Sequence, residues 1–268
     1  MKYKGSMNTL NKAKKAAAKL AFVFILLIGF GGKANAQPPT YDDLIILYAD
    51  GAYDKLLKKA DKYALGKDTK KDPLPYLYLA KCNFEMSKDQ KWLEKYPKAF
   101  NDAIRYAGNA IKKDKEGIVV DENKEFFIDL KTAVVEDIKN LVEEGSYAKL
   151  MGYIAKLHRF SKDDVGSYFL KTAAQYQEKD KGGAKLSQKE AWERLDAVES
   201  VDSWSDIDKE MLKIGTIEYC NAQINLMRQT QPAKDLLGKV KQWLEDDEEF
   251  MAYYDKICLL YTSPSPRD

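Results

Sequence analysis

The side chains that carry most enzyme chemistry are scarce in this chain. His158 is the only histidine. That leaves no multi-histidine metal site and little room for a Ser-His-Asp or Cys-His arrangement, since each needs an imidazole as base. His158 follows an apolar helical stripe and sits beside Arg159, which reads as a surface or boundary position. The run Asp246-Asp247-Glu248-Glu249 could draw a cation, but a calcium loop alternates its ligands around a glycine turn, and this run does neither. Acids favour the first turn of a helix, and Phe250, Tyr253 and Tyr254 continue at helical spacing, so the run reads as a helix start. Lys181-Gly182-Gly183 lacks the preceding strand and the GK[ST] ending of a phosphate loop. Lys112, Lys113 and Lys115 enclose Asp114 and read as a solvated helix end. The 17 tyrosines could stack on sugars, yet tyrosine also plugs helical hairpins, and core or groove lining is the expected role. The sequence nominates no catalytic, cofactor-binding or metal-ligating residue.

The two ends of the chain stand apart from its body. Lys2, Lys4, Lys12, Lys14, Lys15 and Lys19 precede an apolar run from Leu20 to Phe30, and Ala34-Asn35-Ala36 follows. The run is about eleven residues, short of the roughly 20 needed to span a membrane. Basic segment, apolar run and small-x-small site predict a signal peptide over 1–36, cleaved after Ala36, and an export to the periplasm or beyond. No cysteine follows the apolar run, which argues against a lipoprotein. At the other end, Cys258 to Asp268 breaks from the helical pattern. It resembles the translation of a transposase-type sequencing-library adaptor, which implies a non-native tail over 258–268 and a native chain continuing differently after Ile257.

Setting both ends aside changes the charge. Of 44 basic residues, seven lysines lie in the leader and one arginine in the tail; of 42 acids, one lies in the tail. The body therefore carries 36 bases against 41 acids. A mildly acidic body with interleaved lysines favours solubility and argues against nucleic acid. Cys82 and Cys220 remain. They could pair in an oxidising compartment; each also sits in an apolar helical pattern, where a thiol packs as a small hydrophobe.

These residues need elements to hold them, and nearly every segment has helical period. Phe126, Phe127, Leu130, Val134, Ile138, Leu141 and Val142 form the clearest stripe. Ile118-Val119-Val120 is a short strand-like exception. Asp72-Pro73 marks a helix start, Ser187 and Glu190 have capping-box spacing, and Lys181-Gly182-Gly183 and Gln231-Pro232 read as turns. Three segments align at successive offsets of 47 residues: Tyr53, Leu56, Ala60 and Tyr63; Phe100, Ala103, Ala107 and Ala110; Tyr147, Leu150, Ile154 and Leu157. Gly51 and Gly145 precede the first and third by two residues, a fit for a helix–helix turn at positive φ.

The pattern Gly-x-Tyr-x-x-Ala-x-x-x-Tyr-x-x-Ala resembles the second helix of a tetratricopeptide repeat, and Phe100, Ala103, Ala107 and Ala110 fit it best. Tyr76, Leu79 and Ala80 resemble its first helix, with Trp92 in an extended turn. The other two units exchange large and small positions, and the spacing exceeds the standard repeat of about 34 residues. The resemblance covers about Tyr41 to Phe160. A fourth hairpin is expected from Tyr168 to about Val198, plugged by Trp192.

It implies an all-α, tetratricopeptide-like superhelix over 37–200, with further helices or a cap over 201–257. One hairpin cannot bury its apolar face alone, whereas stacked hairpins share a core and present a curved face. The expected function is an exported, non-catalytic scaffold that binds a protein or peptide partner, with Tyr76, Lys81 and Asn83 as groove candidates. Two alternatives are a carbohydrate- or peptidoglycan-binding envelope protein, with exposed Trp92 and Trp204 as stacking surfaces, and an accessory segment of a longer enzyme.

Overall fold

The computed structural model describes residues 40–258, so the leader, its cleavage site after Ala36 and the tail beyond Cys258 lie outside the described residues. The described chain is all-α: thirteen α-helices and one π-helical segment, with no strand among them. In order these are α1 (Asp42–Ala49), α2 (Tyr53–Leu65), α3 (Pro73–Ser87), α4 (Gln90–Lys95), α5 (Ala99–Lys113), α6 (Ile118–Glu122) and α7 (Lys124–Glu143). Then come α8 (Tyr147–Leu157), α9 (Val165–Gln177), α10 (Lys181–Asp196), α11 (Asp206–Asn221), the π segment (Ala222–Leu226), α12 (Gln231–Leu244) and α13 (Glu248–Cys258). No described helix is long and apolar enough to cross a membrane.

The 47-residue alignment falls on α2, α5 and α8. Leu56 and Ala60, then Ala103, Ala107 and Ala110, then Leu150, Ile154 and Leu157 are all buried. Gly51 and Gly145 turn into α2 and α8 with φ of 65° and 66°, where a Cβ would be strained. Each of α2, α5 and α8 follows a helix that it packs against: α1, α3 and α7 respectively, with α4 and Trp92 in the turn between α3 and α5. The units also touch one another, α2 against α3 and α5 against α8. The expected fourth hairpin is α9 with α10, and Trp192 packs edge-on against Phe169 at 5.7 Å. The buried residues fall into successive clusters, the first around Leu44, Leu56 and Leu79, the next around Ile104, Val134 and Leu150. The last, around Phe169, Tyr219 and Phe250, runs through α9 to α13.

Capping chemistry explains where the helix boundaries differ from expectation. Asp72 accepts from Leu74 N at 3.0 Å and starts α3, as its sequence suggests. Lys181-Gly182-Gly183 is not a turn but the first turn of α10, because Asp180 accepts from Gly183 N at 2.9 Å. Ser187 therefore lies buried inside that helix and caps nothing. Gln231-Pro232 opens α12, where the missing proline N–H has no intrahelical partner to lose. Ile118-Val119-Val120 is helical rather than extended: Asp114 accepts from Val120 N at 2.8 Å, and Asn123 donates to Val119 O at 2.7 Å. Side chains on both flanks thus satisfy the backbone locally and outweigh the β-branched preference.

Two devices tie the later helices together. The helices α9 and α11 cross through Gly166 and Gly215, so closely that a Cβ on Gly215 would lie 2.7 Å from the Gly166 carbonyl carbon. Lys131, on α7, forms ion pairs with Asp164 and Asp208. Asp164 caps α9, accepting from Ser167 N at 2.7 Å, and Asp208 accepts from Ser205 N at 2.7 Å in the capping box of α11. One buried ammonium therefore joins the N-termini of two helices to a third.

Cys82 and Cys220 are free, fully buried and in different core clusters. Burial pushes the Cys82 thiol up to about 12 and raises that of Cys220 as well. They pack as small hydrophobes and form no disulfide.

Candidate functional site

Of the three groove candidates, two are structural. Tyr76 donates to Ala64 O at 2.9 Å and fastens the end of α2. Asn83 is buried and donates to Leu79 O at 2.8 Å within its own helix. Lys81 differs. Its ammonium lies 5.9 Å from the Tyr48 ring centroid and 5.8 Å from those of Tyr78 and Phe126. Those rings come from α1, α3 and α7, the first helices of three successive hairpins. Its hydrogen bond is to a neutral acceptor, Asn123 Oδ1, at 2.6 Å. Glu85, one turn along, pairs with Lys88 at 2.8 Å instead. Among the described residues no carboxylate pairs with Lys81, and burial lowers its pKa. Burial also raises the phenol of Tyr78 and lifts that of Tyr48 to about 12, so both remain O–H donors. The result is a half-buried cation among aromatic faces and phenolic donors, lacking an anion. Nothing in the spacing of Tyr48, Lys81 and Phe126 reveals this cluster; only packing of three hairpins brings it together.

His158 occupies a boundary position. Its ring stacks on Tyr168 at 4.3 Å, and Nε2 lies 2.8 Å from Ser167 Oγ. Asp164 is adjacent as well, so a serine, a histidine and an aspartate meet. They are wired as a cap, not as a nucleophile and base. Ser167 Oγ donates to Asp164 O at 2.7 Å, so the imidazole Nε2–H must be the donor to Ser167. Ser167 is also completely buried. Burial pushes His158 down to about 4, opposed in part by the nearby Asp164.

That shift has a sign. Between about pH 6.5 and 4 the unfolded chain binds the His158 proton and the folded chain does not. Stability is therefore fully present above the unfolded value and declines as pH falls through this window. The loss expected from His158, discounted for its partial exposure, is about 2 kcal/mol. Urea unfolding at pH 7 and pH 4.5 should show His158→Gln losing less stability than the parent; equal losses would remove His158 as the cause.

The remaining candidates take structural positions. Asp247 caps α13, accepting from Phe250 N at 2.8 Å, so the acidic run is a helix start. Lys113, at the end of α5, donates to Lys70 O at 2.6 Å. Trp92 and Trp204 are half-buried rather than exposed: Trp92 packs 5.8 Å from Tyr53, and Trp204 packs 6.3 Å from Trp243. Among the described residues no group of three or more His, Cys, Asp or Glu is placed to hold a metal ion. No protein-family model, curated protein or solved structure matches the chain.

Proposed function

We propose that the chain is an exported, periplasmic scaffold of tetratricopeptide-like type that binds a segment of another protein and is itself non-catalytic. The observation that carries this reading is Lys81, an uncompensated ammonium among Tyr48, Tyr78 and Phe126 on three first helices. An acidic group of a partner would supply the missing counter-charge, and the rings would cover its apolar neighbours. The 47-residue alignment supports the repeat reading, and the basic leader with Ala34-Asn35-Ala36 supports export.

The test uses the purified protein and its Lys81→Met variant as baits for envelope proteins of the source organism. A partner should be held by the parent and depleted about tenfold or more in the variant, the size of one lost charge-assisted hydrogen bond. Equal retention by both baits would defeat the assignment of Lys81. Recovery of peptidoglycan fragments in place of protein would favour a glycan-binding envelope protein.

A further inference from the structure

A recess between α7, α11 and α13 has a polarity opposite to that of the Lys81 cluster. It encloses about 260 Å³ over a floor of Val142, Ile214 and Ile217. That is below the roughly 300–1,000 Å³ of pockets for small organic ligands and suits one long side chain. Its two lysines are already matched. Lys213 meets Glu210 at 2.9 Å, Asp247 at 3.0 Å and Glu249 at 2.9 Å, and Lys139 meets Glu210 at 2.9 Å.

Glu218 also lines the recess and has only neutral partners. The Tyr147 hydroxyl lies 3.4 Å from one carboxylate oxygen, and Asn221 Nδ2 lies 3.2 Å from the other. Burial raises the Glu218 pKa, and those two hydrogen bonds only partly oppose it. Around the recess the two amino groups of Lys139 and Lys213 face the carboxyl groups of Glu143, Glu210, Glu218 and Glu249, with Asp247 behind Lys213, an excess of carboxyl groups.

We propose that this recess receives a lysine or arginine side chain from a second polypeptide, with its alkyl stem on Val142, Ile214 and Ile217 and its charged end on Glu218. Long cationic side chains bury their stems on apolar surface while the head finds a partner, which is the combination offered here. The site is separate from the Lys81 face and does not depend on binding there.

The probes are n-butylguanidinium and the tripeptide acetyl-Leu-Arg-Leu-amide, titrated into the purified protein with methyl NMR read at Ile214 and Ile217. Saturable shifts are expected for both, with the tripeptide binding more tightly. Glu218→Gln, which keeps the side-chain shape, should weaken both about tenfold or more while retaining the parent's far-UV circular dichroism. Equal shifts from uncharged butanol, or undiminished binding in Glu218→Gln, would overturn the proposal. Tighter binding of spermidine than of the tripeptide would overturn the polypeptide as occupant.

Discussion

Gly215→Ala is expected to destabilise the protein by about 3 kcal/mol or more, although alanine is the better helix former. In the middle of a free helix the same change would stabilise by about 1 kcal/mol. Here α9 stands in the way. The added Cβ would lie 2.7 Å from the Gly166 carbonyl carbon and 3.0 Å from its Cα. A Cβ on Gly166 would meet the Leu212 Cα at 2.5 Å. All of these are backbone atoms, so no side chain can rotate aside and the helices must move apart. Separation would also loosen Leu170, Ala174 and Met211, which are buried together in the core. For a chain of this size the loss corresponds to a melting temperature lower by roughly 6–12 °C. Gly152 and Gly238 provide the control, since each is helical and has nothing within 4 Å of its would-be Cβ. Alanine at either should leave the melting temperature unchanged or raise it. Calorimetry on the three variants decides the matter, and a Gly215→Ala that melts with the controls would refute the close crossing.

The second large effect belongs to Lys131. Its side chain is 6% exposed and that of Asp164 only 1%. Burial alone would lower the ammonium pKa, but Asp164 and Asp208 outweigh it and hold it above the ordinary value. Burial likewise tends to raise the Asp208 carboxyl, yet Lys131 and Ser205 hold it below the usual range. Lys131→Met leaves two carboxylates facing one another without their cation, a loss of about 3–5 kcal/mol. The pH dependence should reverse. In the parent, the Asp208 contribution is present above its unfolded pKa and declines as acid protonates the folded carboxylate. In the variant, protonation relieves repulsion, so the gap between the two proteins narrows as pH falls from 7 toward 4. The triple change K131M/D164N/D208N should recover most of the loss, because asparagine also caps helices. Chemical denaturation at both pH values would show it; a gap independent of pH would mean that lost packing, not charge, dominates.

The parts of the fold that were legible in the sequence are the local ones. Leu56 with Ala60, the alanines of α5, and Leu150 with Ile154 announce their buried faces by spacing alone, and Gly51 and Gly145 announce the turns before them. Helix starts were harder. Glycine at 182 and 183 and proline at 232 read as breakers, but a preceding aspartate or a first-turn position reverses that meaning. The electrostatic features were not legible. Lys131 interrupts an apolar stripe and looks like a surface residue, and its partner Asp208 is 77 residues away. Lys81, Tyr48 and Phe126 are just as scattered. A mid-helix glycine such as Gly215 hints at close approach, yet only tertiary packing names the helix that approaches.

The two buried thiols give the molecule a property unrelated to binding. Cys82 lies among the first helices and Cys220 among the last, each sealed from solvent by its own cluster. Neither can be alkylated until its surroundings open. Helices packed into separate clusters need not open everywhere at once. The chain thus carries two native clocks for local opening, one near each end of its described fold. Their relative rates measure how far cooperativity extends between those two clusters, with no label or added residue.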